Sequence, residues 1–137
     1  MTKPRVILDT NIYLSGIIFG GNSRHILDLI IQKRVKAITS AVILWEISEK
    51  LKRKFKWTQD KVLLAIKTII KTTIIVKPKE KLKVVKADKS DNKIIEAAAE
   101  SESDYIISGD KHLLMIKRYK KIKIISPVEF LSIYFKK

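Results

Sequence analysis

Two aspartates follow short apolar runs, at points where buried strands would end. Asp9 comes directly after VIL in RVILDTN, and Asp110 comes one glycine after YIIS in YIISGD. In an open parallel sheet, ligands bind beyond the carboxyl ends of the strands, so both carboxylates are candidates for one site. The alternative is that each aspartate only caps the turn that follows its strand.

Two more acids are candidates from helical patterns. Asp91 opens the run DNKIIEAAAESE, in which the residues three, four and seven positions further on are apolar. This spacing puts Asp91 on the core-facing side of a first helical turn, where it either belongs to a site or interacts with the helix dipole. Glu96 is about 140° round the helix from Asp91, so we expect it to face solvent together with Glu100. Glu46, in LWEISEK, is expected on a solvated face, since glutamate is rarely buried unless it is paired.

Carboxylates that converge on one edge of a sheet repel one another and raise one another's pKa values, unless a cation joins them. The chain has no cysteine, and oxygen ligands alone suit Mg²⁺ or Mn²⁺ better than zinc. The two histidines, His25 and His112, lie far apart in the sequence and lack the spacing of zinc ligands. His112 comes two residues after Asp110, and is either structural or in contact with substrate or metal-bound water.

The charge balance predicts a polyanionic partner. The chain has 29 basic and 14 acidic residues, a net charge of +15, which attracts nucleic acid or an acidic protein. The alternative is a thermophile-like surface, because lysine and isoleucine are abundant and glutamine, asparagine and cysteine are scarce. No apolar run is long enough for a membrane span, and the N-terminus does not have the pattern of a signal peptide. We therefore expect a cytoplasmic protein with no membrane partner.

The elements that must position these acids alternate between strands and helices. Apolar patterns predict strands at 6–8, 35–39, 73–76, 104–108 and 121–125. Helices are predicted over 24–34, after a cap at Ser40, from Thr58, after a cap at Ser90, and from Pro127. The basic stretch 77–90 is predicted to be a connector. At 137 residues, the chain suits one domain, 1–137, with a three-layer α/β/α fold and a mostly parallel five-stranded sheet.

Four stretches together resemble a known family. LDTN, WEISEKL, SDNKIIEAA and DYIISGDKHLL are similar to the PIN domain, in the branch of toxin components of toxin–antitoxin pairs (the VapC-like ribonucleases). The resemblance runs from Arg5 to about Phe130, and LDTN and DYIISGDKHLL are its most specific parts. It implies a ribonuclease with an acidic metal site at the carboxyl edge of a parallel sheet.

The resemblance also implies roles for particular residues. The acidic cluster that binds Mg²⁺ or Mn²⁺ would be Asp9, Glu46, Asp91 and Asp110, supported by Thr10, Asn11 and Ser108. His112 stands where some relatives have a further aspartate, so its role stays open. Asp104 precedes its strand, lies at the opposite edge and is expected to be structural. The metal would lower the pKa of a bound water and orient it towards a phosphodiester, leaving a 5′-phosphate and a 3′-hydroxyl. The implied partners are RNA, an antitoxin protein and a second copy of the chain.

Other proteins with an aspartate after the first strand fit less well. Haloacid-dehalogenase-like phosphatases carry a second acid where this chain has Asn11, and receiver domains need an acidic pair that is missing here. The remaining alternative is a PIN fold that binds RNA or protein without catalysis. The presence of all four acids argues against it.

Overall fold

The computed structural model describes residues 3–78 and 89–136. Six strands form one sheet in the order β3-β2-β1-β4-β6-β5, and every neighbouring pair is parallel except β5 with β6. The strands are β1 Arg5–Leu8, β2 Lys36–Ser40, β3 Thr73–Val76, β4 Tyr105–Ile107, β5 Arg118–Tyr119 and β6 Ile122–Ile125.

Seven helices are described around this sheet, and several start where the side chains predict. They are α1 Thr10–Ile18, α2 Gly21–Ile31, α3 Ala41–Arg53, α4 Gln59–Thr72, α5 Lys89–Ser101, α6 Lys111–Ile116 and α7 Pro127–Phe135. The hydroxyls of Ser40 and Thr58 accept hydrogen bonds from the first turns of α3 and α4, and Ser126 forms a capping box with Glu129 before Pro127. None of the described helices is long and apolar enough to cross a bilayer.

The centre of the sheet is apolar on both faces, as expected for parallel strands covered by helices. Val6, Ile7 and Leu8 of β1 are fully buried, and so are Ile106 and Ile107 of β4. Each such side chain contributes about 1.5–3 kcal/mol by leaving water. Because Leu8 pairs with Ile107, β1 and β4 end at the same level, and the residues that follow them lie side by side.

The predicted three-layer α/β/α fold with a mostly parallel sheet is confirmed, with six strands instead of five. The additional strand, β5, has only two residues, Arg118–Tyr119, in a lysine-rich stretch without an apolar run. Ser90 lies inside α5, so the prediction that it caps this helix is wrong. Most of the connector predicted over 77–90 falls outside the described residues.

The prediction for one face of α5 is also wrong. Glu100 is exposed as expected, but Glu96 is only 6% exposed, and its carboxylate lies 3.6 Å from the ammonium group of Lys93. The helix packs against β1, β2, β3 and β4 on one side and against α3 on another. A helix covered from two directions is buried around most of its circumference, so 140° of rotation from Asp91 does not reach solvent.

Candidate active site

Asp9 lies at the carboxyl end of β1, where the chain enters α1. Its backbone is extended, with φ −59° and ψ 148°, and its side chain makes no capping hydrogen bond to α1. The residue is 7% exposed, and its Oδ2 accepts a hydrogen bond of 2.8 Å from the Ser108 hydroxyl. The N–H of Asn11 in the first turn of α1 still interacts favourably with this carboxylate, so capping describes at most part of the role of Asp9. Its strand and helix hold it at the edge where parallel sheets bind ligands.

Ser108 connects the two strand-end aspartates. The residue is fully buried, and its hydroxyl donates to Asp9 while accepting the backbone N–H of Asp110 at 2.9 Å. Asp110 also caps α6, because its Oδ1 accepts the N–H groups of His112 at 2.7 Å and Leu113 at 3.3 Å. The capping alternative thus describes part of the role of Asp110. Both capping bonds use Oδ1, so they do not engage the second carboxylate oxygen.

The electrostatics of Asp9 depend on burial and on this neighbour. Burial raises the pKa of the Asp9 carboxyl above its ordinary value, and the hydrogen bond from Ser108 opposes this rise. The charge of Asp110 raises the pKa further, whereas the N–H of Asn11 and the ammonium group of Lys50 lower it. The net shift is upward. A carboxyl group with these surroundings at a sheet edge is typical of functional sites.

Two contacts join α3 to the residues that follow Asp9 at the carboxyl edge of the sheet. The Thr10 hydroxyl, which is buried, donates to Oε2 of Glu46 at 3.2 Å. One helical turn further on, Lys50 donates to the side-chain oxygen of Asn11 at 3.3 Å. Glu46 is half-buried, so the expectation of a solvated face is wrong for this residue. Of the predicted residues, the structure therefore brings together Asp9, Thr10, Asn11, Glu46, Ser108 and Asp110.

Asp91 lies in the first turn of α5 and is 5% exposed. A helix that connects two parallel strands begins at the carboxyl edge of their sheet, so α5 brings Asp91 to the same edge as Asp9. Within residues 3–78 and 89–136, however, no three His, Cys, Asp or Glu side chains are grouped closely enough to hold a metal ion. The role of the four acids as a common ligand set stays a prediction.

The two histidines and Asp104 lie outside this arrangement. His112 is exposed, and its contact with Asp110 runs through its backbone. The ring of His25 lies 5.3 Å from that of Phe135, on the protein surface. Asp104 accepts the backbone N–H of Arg5 at 2.9 Å, at the start of β1 and β4. This contact supports the structural role expected for Asp104.

Sequence reasoning missed one residue of the site. Lys50 contacts Asn11 and lowers the pKa of Asp9, so it supplies positive charge beside the buried carboxylate. The signal was its position four residues after Glu46, which puts both side chains on one face of α3. That spacing was interpreted as evidence of a solvated face, because a glutamate–lysine pair on a helix usually lies on the surface.

The fold and the site define an α/β protein whose acidic residues lie beyond the carboxyl ends of parallel strands. The chain belongs to the PIN domain family, whose model matches residues 5–112. Its fold is similar to that of a chain in the crystal structure of VapBC2 from Rickettsia felis bound to a DNA fragment from their promoter. The TM-score is 0.63 at 14% identity, covering 89% of this chain and 98% of that chain. No curated protein sequence matches the chain.

Proposed function

We propose that residues 1–137 form one PIN-like domain that hydrolyses RNA phosphodiester bonds with Mg²⁺ or Mn²⁺. The observation that carries this proposal is the pair of aspartates joined by the Ser108 hydroxyl, at the carboxyl edge of the sheet in a PIN-family chain. A structural turn cap does not require a buried carboxylate with a raised pKa. A site that binds a cation does benefit from one, because the cation offsets the cost of the buried charge.

The donor set fits a hard divalent ion. The carboxylates of Asp9 and Asp110 would hold it, with Asp91 and Glu46 supplying further oxygens. Mg²⁺ commonly binds through one or two carboxylates, keeping several waters and taking the remaining oxygens from phosphate. The site therefore does not need three acidic side chains in mutual contact before the ion and the RNA arrive. When bound, the ion supplies a water of lowered pKa and charge stabilisation at the phosphate.

The side chains around the ion have separate roles. Ser108 fixes the orientation of Asp9 by holding Oδ2, and Thr10 similarly orients Glu46. A carboxylate of the cluster is available to accept the proton of the attacking water. Lys50 adds a positive charge near Asp9, where the phosphate would approach. The contact between Ser108 and Asp9 requires the alignment of β1 and β4, since these two residues follow directly after the paired Leu8 and Ile107.

We also propose that this nuclease is the toxin of a toxin–antitoxin pair and acts as a homodimer in the cytoplasm, where its RNA substrate and antitoxin would meet. The resemblance of LDTN and DYIISGDKHLL to VapC-like toxins supports the first part, and the similar solved structure is of VapBC2. Exposed apolar side chains support an association with protein partners. Trp45 of α3 is 63% exposed and Leu64 of α4 is 67% exposed.

One observation favours the alternative, a PIN fold that binds RNA or protein without catalysis. A preformed metal centre would contain a group of at least three potential ligands. The described residues contain no such group. A binding module would retain RNA affinity and would release no cleavage product under any metal condition. This difference separates the two functions.

The test is a cleavage assay on a 5′-labelled RNA with Mn²⁺ or with chelator. Wild-type protein should cleave only with Mn²⁺, and Asp9→Asn should lower the rate at least about 100-fold, since it removes a ligand that the reaction needs. Asp104→Asn is the matched control, an aspartate-to-asparagine change at the opposite edge of β4, and should cleave at close to the wild-type rate. Cleavage that persists in chelator, or that Asp9→Asn leaves unchanged, would contradict the proposal.

A further inference from the structure

A strongly basic hairpin follows the part of the chain that matches the family model, which ends at residue 112. Strands β5 and β6 and their two-residue turn form this hairpin. Five of the seven residues from 117 to 123 are cationic, and none is acidic. The cationic residues are Lys117, Arg118, Lys120, Lys121 and Lys123. By comparison, 29 of the 137 residues in the whole chain are basic.

Three of these cations line one cleft, which we name the basic cleft. Lys117, Arg118 and Lys123 surround a volume of 460 Å³, over apolar residues of α6 and β6. Glu129 is the one acidic residue in the lining, so the cleft has an excess of positive charge. Within the described part of the chain, none of the three cations forms an ion pair. Their charges are therefore available to an anion from outside.

Two features of the basic hairpin destabilise the folded state. Arg118 pairs directly with Lys123 across the antiparallel ladder, and like charges in opposite positions destabilise a sheet. Lys120, in the turn, has φ 54°, a conformation for which turns of this length favour asparagine or glycine. Other residues at positions 118, 120 and 123 would make the folded state more stable. A bound polyanion would relieve the repulsion between Arg118 and Lys123.

The basic cleft reaches the acidic edge of the sheet at Ile125 and extends from there towards the opposite edge, because Lys123 pairs with Tyr105 at the start of β4. The N–H of Ser108 donates to the carbonyl of Ile125 at 3.0 Å, and Ile125 is part of the cleft lining. On the other side, α6 leads from Asp110 to Lys117, and its six residues span about 9 Å. Lys117 is thus within one short helix of the proposed catalytic aspartates, and Arg118 and Lys123 continue the cleft away from them.

We propose that the basic cleft binds the phosphate backbone of the RNA substrate beside the cleavage site, an inference that rests on the proposed ribonuclease function. The lining residues of the cleft include no aromatic side chain, so this part of the described surface offers no platform for base stacking. Contacts from lysine and arginine to phosphate position RNA without reading its sequence. The cleft therefore contributes affinity and register, and does not contribute base specificity.

The test measures binding of a fluorescent single-stranded RNA in chelator, so that binding is separated from metal-dependent cleavage. The cleft variant combines Lys117→Gln, Arg118→Gln and Lys123→Gln. The control variant combines Lys33→Gln, Arg34→Gln and Lys36→Gln, three exposed cations at the junction of α2 and β2. The two sets remove equal charge, and each includes one lysine with positive φ, 67° at Lys117 and 62° at Lys33.

The plot of log affinity against log salt has a slope of about −0.7 per phosphate contact with a single strand. The loss of three contacts should therefore make the slope of the cleft variant less negative by about 2. Between 50 and 200 mM salt, wild-type protein should therefore lose roughly 18-fold more affinity than the cleft variant. The control variant should keep nearly the wild-type slope. RNAs of different sequence should show the same change. If the cleft variant does not melt like wild type, Arg118→Gln alone provides the same test, with an expected change of about 0.7 in slope.

Equal RNA binding by the cleft and control variants would overturn the proposal, and is also the result expected if the cleft instead binds an acidic protein segment. Cleavage assays with Mn²⁺ keep this outcome apart from failure of the ribonuclease function. A wild type that cleaves RNA, together with a cleft variant that binds like the control, would overturn the cleft assignment alone. A wild type that binds through the cleft but never cleaves would support the cleft and overturn the nuclease.

Discussion

Replacing Asp9 with asparagine should change protein stability and metal response together. In the wild-type protein, burial above all raises the pKa of the Asp9 carboxyl, with a further contribution from the charge of Asp110. Asparagine keeps the shape and the oxygen that accepts from Ser108, and its amide group can donate to a neighbouring carboxylate. In chelator at neutral pH, Asp9→Asn should therefore be as stable as wild type, or more stable.

The sign of the pH dependence follows from the direction of the shift. Because the native-state pKa of Asp9 lies above 3.8, the native state binds this proton more tightly than the unfolded chain does. The contribution of Asp9 to stability is then highest when the carboxyl is protonated, and it is lost as the pH rises from 3.8 through the native-state pKa. The stability advantage of Asp9→Asn in chelator should grow over this pH window and then level off.

Metal binding should reverse the order of the two proteins. An ion that binds only the native state stabilises it by about 2.7 kcal/mol at a hundredfold excess over Kd. At about 2.1 cal/mol/K of unfolding entropy per residue, this free energy corresponds to roughly 9 °C for a chain of 137 residues. Wild-type protein should show a melting-temperature shift of this size in Mn²⁺, whereas Asp9→Asn should show a much smaller one.

The assay is a thermal melt of wild type, Asp9→Asn and Asp104→Asn, each in Mn²⁺ and in chelator. Asp104→Asn weakens the contact with the N–H of Arg5, so it should be mildly destabilised in both conditions while keeping the full metal shift. A wild-type melting temperature that does not respond to several millimolar Mn²⁺ would refute the acidic site. Equal loss of the shift in both variants would refute the assignment to Asp9.

Three further outcomes are expected. Ser108→Ala should lower the free energy of unfolding by about 1–3 kcal/mol, because it leaves a buried Asp9 oxygen and the Asp110 N–H without their shared partner. A denaturant titration measures this change, and an unchanged midpoint would contradict it. Glu96→Gln should destabilise the protein while Glu100→Gln should not, as thermal melts can show, because only Glu96 is buried; equal melting temperatures would contradict it. Sedimentation at micromolar concentration should show a homodimer, and a purely monomeric protein would contradict that proposal.

Sequence patterns predicted the elements in which one face or both faces are clearly apolar. Strands β1, β2, β3, β4 and β6 and helices α3, α4 and α7 were found within one or two residues of their bounds. The helix α1 was not predicted, since its apolar residues show no clear helical period; three consecutive ones, Ile12, Tyr13 and Leu14, are all buried. Strand β5 is too short to leave a pattern in the sequence.

The sequence predicts the residue types of the site better than it predicts the contacts between them. Asp9 and Asp110 were identified because they follow apolar strands, and the parallel alignment of β1 and β4 then brings them together. The bridge through Ser108 depends on side-chain conformations, which the sequence does not specify. The burial of Glu96 and the approach of Glu46 to Thr10 both depend on how α3 and α5 pack, so periodicity within one helix could not reveal them.

The most direct test of a metal ion between these acids and the RNA phosphate uses phosphorothioate RNA, in which sulfur replaces a non-bridging phosphate oxygen. Mg²⁺ is a hard cation that binds sulfur poorly, whereas Mn²⁺ accepts it more readily. Wild-type protein should therefore cleave phosphorothioate RNA much more slowly than normal RNA in Mg²⁺, and Mn²⁺ should restore much of the rate. The same slowing in both ions, or none in either, would contradict a metal at the Asp9–Asp110 edge that contacts the phosphate.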